Sequence, residues 1–288
     1  MSAFINTVIA GLFIKRKHGA PMERVTHLDM CRSRGILGDI NPGGFSPRQA
    51  CITISKSLIE QDVSWSGSRA NIILSGDDSN RVNSGGLLTI GNVALRVTMR
   101  CEPCSHGANL ADVKAARFRK ITRYLAIVIS CGRVSVGDLT GVHPEVFAVV
   151  PEDFRTRCAW AVDSIPKGRV VNSVEFLNAI GASTSYARVL PRWIDHAKGF
   201  GQPVHRVLTA NLTAPSWAPD ALSQLAREGV ELSVLTRAQF PLTRWLWFNC
   251  ETRGGSAVST NDTLSIMESG ANRGRQATSA VGLRIQCR

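Results

Sequence analysis

The sequence predicts two domains: an N-terminal β-rich domain and a C-terminal domain that is mainly α-helical. Three observations support this fold class. The chain has 288 residues, a length that suits two domains of ordinary size. Its first half contains short β-branched or alternating apolar runs separated by Gly, Asn and Ser. Its second half spaces its apolar residues as short helices do.

The β-rich half is predicted from a series of short runs. Apolar or β-branched stretches occur at 50–54, 87–90, 93–98 and 124–130. Regular short strands with Gly turns indicate a closed or sandwich-like β domain. The apolar run at 4–14 is predicted to be the first strand rather than a signal peptide, because its basic cluster follows it instead of preceding it.

The helical half is predicted from spacing and from helix-terminating residues. Apolar residues over 174–180 predict a short helix, and Gly181 permits the positive backbone angle at which helices stop. Residues 183–185 offer N-capping oxygens for a second helix, which Pro191 limits or kinks. Two short helices across a Gly-containing turn indicate a helix-turn-helix, although an ordinary helical hairpin also fits the pattern.

Changes in composition set the predicted boundaries. The β-rich domain spans 1–145, a Pro-containing linker 146–153, and the helical domain 154–248. Residues 249–288 are rich in Ser, Gly, Asn, Thr and Arg and show little apolar periodicity. Such a composition predicts a disordered tail.

Charge and cysteine content narrow the class of protein. Lys and Arg total 34 against 22 Asp and Glu, a net charge of +12, which supports contact with a polyanion without locating it. The 8 Cys residues are scattered and no secretory leader precedes them, which disfavours a disulfide scaffold. No apolar stretch is long enough to span a bilayer. We therefore expect a cytoplasmic protein with reduced thiols and no membrane partner.

An ordered set of motifs runs through the first half. It comprises Arg-Gly-Ile-Leu-Gly-Asp-Ile at 34–40, Arg-Gln-Ala-Cys-Ile at 48–52, Ser-Gly-Ser-Arg-Ala-Asn-Ile at 66–72 and Cys-Glu-Pro-Cys at 101–104. This order over about residues 4–142 resembles a MOSC domain, the module found at the C terminus of molybdenum-cofactor sulfurases. The resemblance implies a β-barrel.

The same resemblance implies a functional cysteine, Cys104. In MOSC proteins this thiol is proposed to carry sulfur as a persulfide or to ligate molybdenum in a pterin cofactor, so Cys104 is both the catalytic and the metal-ligating candidate. Thiolate is the reactive form and a soft ligand, and Arg100 and His106 favour it. Arg48, Arg69 and Asn71 are the candidates for contact with an anionic cofactor; pyridoxal phosphate is a further possible cofactor.

The spacing of Cys101 and Cys104 leaves other interpretations open. A C-x-x-C pair also fits redox dithiol chemistry or half of a zinc site. No second C-x-x-C or H-x-x-x-H completes a tetrahedral metal site. Two small buried thiols in a β core are the simplest alternative.

The second half carries a different motif, Pro203-Val204-His205-Arg206-Val207. With Cys in place of Val204, this is the active-site frame of the DNA alkylguanine alkyltransferases. Together with the segments at 161–171, 185–190 and 244–248, it resembles the alkyltransferase-like proteins, which keep a winged helix-turn-helix-like DNA-binding fold but lack the Cys. The resemblance covers 151–248. Val has no nucleophilic atom, so alkyl transfer at this position is chemically excluded.

The alkyltransferase-like resemblance implies a DNA-contacting set. Arg188 falls at the arginine finger, whose planar cation fills the space left by a flipped base. The remaining candidates are Ser173, Val204 at the base pocket, His205 and Arg206 at its floor, and Asn211 in the following loop.

The combined prediction is a two-module protein. Its C-terminal module binds double-stranded DNA and senses alkylated guanine without removing the alkyl group, flagging lesions for repair proteins. Its N-terminal module carries sulfur from a sulfur donor, or a molybdenum cofactor, through Cys104. The alternative is a sulfur-transfer or molybdenum-cofactor redox enzyme whose C-terminal module binds a small molecule or a protein. A degenerate scaffold in which neither site works is a third possibility.

Overall fold

The computed structural model describes residues 5–32, 34–40, 45–76, 82–102, 115–236 and 239–248. The predicted tail at 249–288 therefore lies outside the described residues. In the part that is described, no helix is both long enough and apolar enough to cross a bilayer.

In the described part of the first half, the chain forms eleven strands. They are β1 (Ile5–Ile14), β2 (Glu23–Val25), β3 (His27–Cys31), β4 (Gly35–Ile36), β5 (Ala50–Ile54), β6 (Ile72–Leu74), β7 (Leu87–Ile90), β8 (Val93–Arg100), β9 (Arg123–Ser130), β10 (Gly132–Ser135) and β11 (Leu139–His143). The helices α1 (Ser55–Glu60) and α2 (Ala115–Lys120) lie between them in the chain.

Seven of these strands close into a barrel. Their order is β1-β11-β7-β8-β9-β5-β6, and β6 returns to β1. Every neighbouring pair is antiparallel except β5 and β6. β2 extends the sheet beside β1, and β10, β3 and β4 form a second, three-stranded sheet. The predicted closed β domain is confirmed, and the predicted strands at 50–54 and 87–90 coincide with β5 and β7.

The barrel interior is hydrophobic because alternate residues of each strand point inward. Ile9, Leu12, Ile52, Ile72 and Val128 are fully buried in this interior cluster. On the outer face, β8 and β9 place a second apolar surface that the barrel cannot cover by itself.

The second half consists of helices α3 (Phe154–Asp163), α4 (Ser173–Ala179), α5 (Leu190–Gly199), α6 (Ala221–Arg227) and α7 (Leu242–Phe248). Two short strands, β12 (Val171–Asn172) and β13 (Val207–Leu208), pair in parallel. We call residues 154–248 the helical region. Helices are present where the sequence predicted them, but the winged helix-turn-helix-like assignment stays a prediction.

Local sequence accounts for the helix ends. The Asp153 side chain accepts the N–H groups of Arg155 and Thr156, both at 3.0 Å, and caps α3. Gly181 follows α4 at a φ of +73°, as predicted for a helix stop. Pro191 was expected to limit or kink the second helix. It lies instead in the first turn of α5, where its missing N–H is not needed.

The helical region packs directly on the outer face of the barrel. Met99, Leu125 and Ile127 from β8 and β9 belong to the same buried cluster as Phe176 and Trp247 from the helices. The segment that joins the two regions also packs. The Phe147 N–H donates to the Gly85 carbonyl at 2.7 Å and the Val150 N–H to Ser84 Oγ at 3.0 Å, and both apolar side chains are buried.

Arginines of the barrel connect it to the ends of the helices. Arg96 Nη1 donates to the carbonyls of Leu246 at 3.2 Å and Trp247 at 3.0 Å, in the last turn of α7. Arg48 Nη1 donates to the Gly181 carbonyl, just past α4, at 2.9 Å. The last carbonyls of a helix have no partner within the helix, and cations are favoured at that end.

We predict that Gly181→Ala destabilises the fold more than Gly201→Ala does. Both glycines have a φ of +73°, but a Cβ on Gly181 would lie 2.6 Å from Met99 Sδ, whereas nothing lies within 4 Å of a Cβ on Gly201. Both variants place a non-glycine residue at a positive φ and lose stability for that reason. The difference between their losses in unfolding free energy therefore reports the contact between the helical region and the barrel. We expect an additional loss of about 1 kcal/mol, measured by urea unfolding. Equal losses would show that this contact does not constrain the fold.

Candidate functional site

The candidate site lies at the barrel rim where β8 ends. Arg100, the last residue of β8, pairs with Tyr124 of β9, and the Cys101 N–H donates to the Arg123 carbonyl at 2.8 Å. The chain then runs toward the predicted functional cysteine. Cys104 and His106 lie outside the described residues, so their predicted roles stay predictions.

Two cysteines meet at this rim. Cys51 of β5 and Met99 of β8 both pair with Leu125 on the intervening strand β9. Cys101 lies two residues beyond Met99, so period-two alternation puts Cys51 and Cys101 on the same outer face of the sheet. The two thiols interact electrostatically, and Cys101 Sγ donates to the Glu102 carbonyl at 3.8 Å.

The electrostatic environment separates the two thiols. The interaction with Cys51 lowers the pKa of Cys101 to about 6 against the opposing effect of burial, and the charges of Arg123 and Arg48 add to the lowering. The same interaction, together with burial, raises the pKa of Cys51 well above its ordinary value. The surroundings therefore favour ionisation of Cys101 over ionisation of Cys51.

Positive charge surrounds this pair of cysteines. We use the name rim site for the group formed by Arg48, Cys51, Arg100, Cys101 and Arg123. Arg123 is 3% exposed. Its Nη1 donates to the Ser68 carbonyl at 3.3 Å, and its guanidinium lies 4.1 Å from the ring centroid of Phe118. Nε and Nη2 of Arg123 have no hydrogen-bond partner within the described ranges.

The helical region completes the rim. A small cavity there is lined by Arg48, Arg100 and Glu102 from the barrel and by Arg157 and Gly181 from the helical side. Arg157 of α3 is 1% exposed, and its Nε and Nη1 donate to the carbonyls of Pro151 at 2.8 Å and Ile180 at 3.0 Å. Both regions therefore contribute charged groups to one cavity.

The three predicted cofactor contacts differ in their surroundings. Arg48 lies at the rim and lines the cavity, but Asn71 does not. Its amide is fully buried, accepting the Cys51 N–H at 3.0 Å and donating to Asp39 Oδ2 at 2.9 Å and the Phe13 carbonyl at 3.2 Å. The prediction of a cofactor contact at Asn71 is corrected to a structural role, because these bonds leave no polar atom at the surface.

Arg69 also has a local structural task. It ends a short 3₁₀ helix, Ser66–Ser68, with a positive φ of 60°. Its Nη1 donates to the Ala20 carbonyl at 2.9 Å. Arg69 therefore joins two turns, and its predicted contact with an anionic cofactor stays a prediction.

The predicted base pocket at Val204 is packed. The Val204 side chain is 6% exposed and belongs to the cluster that joins the helical region to the barrel. His205 Nε2 lies 2.9 Å from Glu228 Oε1, and Arg206 Nη2 donates to the same carboxylate at 2.7 Å. Arg206 Nη1 also donates to the Ile165 carbonyl at 2.6 Å. Val204 is thus corrected from a pocket wall to a core residue, because its side chain has almost no free surface.

The other predicted DNA contacts lie nearer the surface. Arg188, at the end of the 3₁₀ helix Thr184–Arg188, and Asn211 are both exposed. Ser173 is half-buried at the start of α4, where Asn172 provides the capping oxygen. Among the residues that the structure describes, no hydrogen bond or ion pair joins these three residues to the His205 and Arg206 pair, so their joint role stays a prediction.

Sequence reasoning did not assign Cys51, Arg123, Arg157 or Glu228 to any site. Cys51 was noticed only as part of a motif. The Arg123 contact with Ser68 spans 55 positions and the Arg206 contact with Glu228 spans 22. No local pattern could have indicated these partners, since they meet only after the barrel has closed and the helices have packed.

Comparison with known protein families identifies the barrel. A family model described as the MOSC domain matches residues 46–140. Residues 46–140 form a MOSC domain. The matched stretch begins just before β5 and ends within β11, so the MOSC domain includes the rim where β8 ends. Beyond it, the strands β1–β4 contribute to the same fold.

Solved structures that resemble this chain include a YuaD protein and two YiiM proteins. The YuaD protein of Bacillus subtilis is 18% identical, with a TM-score of 0.43, covering 50% of this chain and 99% of its own. YiiM from Geobacillus stearothermophilus is 13% identical, with a TM-score of 0.42 and coverage of 65% and 98%. YiiM from Escherichia coli is 17% identical, with a TM-score of 0.40 and coverage of 68% and 94%. No curated protein matches the chain.

Among the residues that the structure describes, no group of three or more His, Cys, Asp or Glu side chains is placed to hold a metal ion. The half-zinc-site interpretation of Cys101 and Cys104 therefore gains no further ligand from the described residues.

We predict that Glu228→Gln removes an acid-sensitive part of the stability. Burial alone would raise the pKa of Glu228, but hydrogen bonds from Arg206, the Gly168 N–H and His205 outweigh it and lower the pKa from 4.5 to about 2. The carboxylate therefore stabilises the fold fully above pH 4.5, and this contribution disappears as the pH falls toward 2.

Urea unfolding between pH 2 and 7 measures this effect. The free energy of unfolding of Glu228→Gln should lie roughly 2 kcal/mol below that of the wild type at pH 7, and the gap should close in acid. Glu60→Gln, at an exposed position of α1, is the matched control and should show no such gap. A gap independent of pH would contradict the ionic role of Glu228.

Proposed function

We propose that the MOSC domain handles sulfur or a molybdenum cofactor at the rim site, with Cys104 as the functional thiol. The observation that carries this proposal is the concentration of positive charge where β8 ends, directly before the Cys104 segment. Arg48, Arg100 and Arg157 line one cavity there, and Arg123 is buried beside the thiols. Such a setting stabilises thiolates and attracts anionic ligands.

The charges that line this cavity suit an anionic group that is held by a thiolate. Arg48 and Arg100 would bind its negative charge from the barrel side, while Arg157 keeps the helical wall of the cavity in place through its backbone contacts. Glu102 would disfavour a second anion at its own edge of the cavity, so the ligand would lie toward the arginines. A bound molybdenum cofactor would supply redox chemistry, and a persulfide would supply transferable sulfur.

We predict that purified protein carries sulfane sulfur or molybdenum through Cys104. Metal analysis and persulfide mass spectrometry should find one of the two on the wild type, and Cys104→Ser should lose it. Cys158→Ser is the control, because Cys158 is buried in α3, where burial raises the pKa of its thiol to about 12. The same load on wild type and Cys104→Ser would contradict the role of Cys104.

We propose DNA contact by the helical region as a second function, and the observation that favours it is the exposure of Arg188. Its guanidinium makes no ion pair within the described ranges and remains available to a phosphate or a base. The lesion-sensing form of this proposal needs room for a purine beside Val204, and the packing of Val204 weighs against it. Contact with a duplex through Arg188 does not depend on that pocket.

We predict that Arg188→Ala weakens binding to duplex DNA and lowers the slope of log affinity against log salt by about one. The matched control is Arg133→Ala, which removes the same charge from an exposed barrel arginine paired with Asp29. Fluorescence anisotropy with plain and alkylated-guanine duplexes measures both properties. Equal, weak binding by wild type and both variants would exclude DNA as a partner, and a preference for the alkylated duplex would restore the lesion sensor.

A further inference from the structure

Two cysteines lie opposite each other at one end of the three-stranded sheet. Strand β10 pairs with β3 in antiparallel fashion, with Gly132 opposite Met30 and Arg133 opposite Asp29. One position further along the same register, Cys131 lies opposite Cys31, the last residue of β3. The structure holds both residues as thiols. The strand register therefore brings together two sulfur atoms that lie far apart in the sequence.

The hydrogen bonds of the two strands show which type of pair the cysteines form. The Val136 N–H donates to the Thr26 carbonyl at 3.0 Å, and these two residues are opposite each other in the same register. Hydrogen-bonded and non-hydrogen-bonded pairs alternate along an antiparallel ladder. Cys131 lies an odd number of positions from Val136, so it forms a non-hydrogen-bonded pair with Cys31. The Cα atoms of such a pair are about 4.5 Å apart, within the range that a disulfide requires.

The side chains of the pair share an open face of the sheet. Period-two alternation puts Cys131 and Cys31 on the same face as Arg133 and Asp29. Those two side chains already meet across the strands, with Arg133 Nε and Nη2 donating to the Asp29 carboxylate at 2.8 and 2.9 Å. Cys131 is exposed and Cys31 is half-buried. A reagent in solution can therefore reach Cys131 first.

A direct contact places the Cys131 sulfur beside the chain that carries Cys31. The Arg32 N–H donates to Cys131 Sγ at 3.1 Å, so this sulfur lies against the peptide that follows Cys31. Arg32 also connects the sheet to other parts of the fold. Its Nη2 donates to the Phe248 carbonyl at the end of α7 at 3.1 Å, and its own carbonyl accepts from Gln49 Nε2 at 3.1 Å. The two thiols therefore lie next to a contact between the barrel and the helical region.

We propose that Cys31 and Cys131 form a thiol modification site, whose co-reactants are low-molecular-weight disulfides such as oxidised glutathione, and whose product is a cross-strand disulfide. The site goes beyond the proposed function, because it uses neither Cys104 nor the rim site. The disulfide closes a loop from residue 31 to residue 131 and so restricts the unfolded chain. Oxidation therefore stabilises the fold, and reduction returns it to its starting stability.

The proposed chemistry takes two balanced steps. The Cys131 thiolate attacks one sulfur of the disulfide R–S–S–R; a bond forms between Cys131 and that sulfur, the R–S–S–R bond breaks, and R–S⁻ leaves with the electron pair. Cys31 then attacks the sulfur of Cys131, and the second R–S⁻ leaves. The two leaving groups take up the two protons that the cysteines release. Two protein thiols are thereby oxidised, and one R–S–S–R is reduced to two R–SH.

Oxidised glutathione added to the reduced, full-length protein tests the proposal. The reaction is run at about pH 8.5, because partial burial raises the pKa of Cys131 and the thiolate is the attacking form. Peptide mass spectrometry of the wild type should find a disulfide between Cys31 and Cys131 that dithiothreitol removes. Cys31→Ser should stop at a glutathione adduct on Cys131, whereas Cys131→Ser should leave Cys31 unmodified. Cys158→Ser, which changes a buried thiol of α3, should behave like the wild type.

Urea unfolding gives a second readout that a purely structural role of the cysteines would not change. The unfolding midpoint of the wild type should rise after oxidation and return after reduction. The midpoint of Cys131→Ser should be the same with and without oxidised glutathione. A wild type that accumulates glutathione on Cys131 without forming the disulfide would overturn the inference, and so would an oxidised wild type with an unchanged midpoint.

Cys104→Ser separates this inference from the proposed function. The variant should form the disulfide between Cys31 and Cys131 to the same extent as the wild type. If oxidation instead joins Cys104 to Cys131 or to Cys31, the inference fails, while metal and persulfide analysis of Cys104 still decides the proposed function. A protein that forms the disulfide but carries neither sulfur nor molybdenum on Cys104 would support the inference and contradict the proposed function.

Discussion

The structure depends on guanidinium groups that bind the carbonyl ends of helices. Arg96 and Arg48 of the barrel reach the last carbonyls of α7 and the carbonyl just past α4. Arg157 of α3 binds the Ile180 carbonyl beside them. These carbonyls have no partner within their own helices, and each arginine supplies donors in the fork geometry that two neighbouring oxygens can share. Without these bonds, the carbonyl groups at the ends of α4 and α7 would lack hydrogen-bond donors where the helices pack on β8 and β9.

This arrangement joins structure and function at one place. Arg48, which binds the carbonyl just past α4, also places positive charge near the thiols, and Arg157 of the helical region lines the same cavity, so the rim site belongs to neither region alone. A MOSC barrel without the helical region would lack the Arg157 wall and the Gly181 carbonyl that orients Arg48.

The second charged network, around Glu228, is different in kind. Its carboxylate has Arg206 and His205 as partners, which stabilises the segment carrying Val204 but leaves little charge free for a ligand.

Much of the fold could be predicted because its signals are local. Period-two apolar runs predicted β5 and β7 at their observed bounds, and Gly181 was recognised as a helix stop from its position after an apolar helix. Pro191 was misjudged because proline disfavours a helix interior but is well suited to a first turn, and only the observed start of α5 distinguishes the two. Asn71 and Val204 were misassigned for another reason. A polar residue in a motif, or a residue in a familiar pocket frame, carries no sequence signal of how deeply it will be buried.

The sequence by itself determined that the first half is a closed β domain with the MOSC motif order, that the second half contains helices, and that position 204 cannot perform alkyl transfer. These properties follow from residue type and from spacings of two to four positions. The tertiary structure alone decided that the two regions share a core, that Cys51 meets Cys101, and that Arg123 is buried beside them. Those contacts join residues tens of positions apart. They form when the barrel closes and the helices cover its outer face. Burial there strengthens electrostatic interactions and hydrogen bonds.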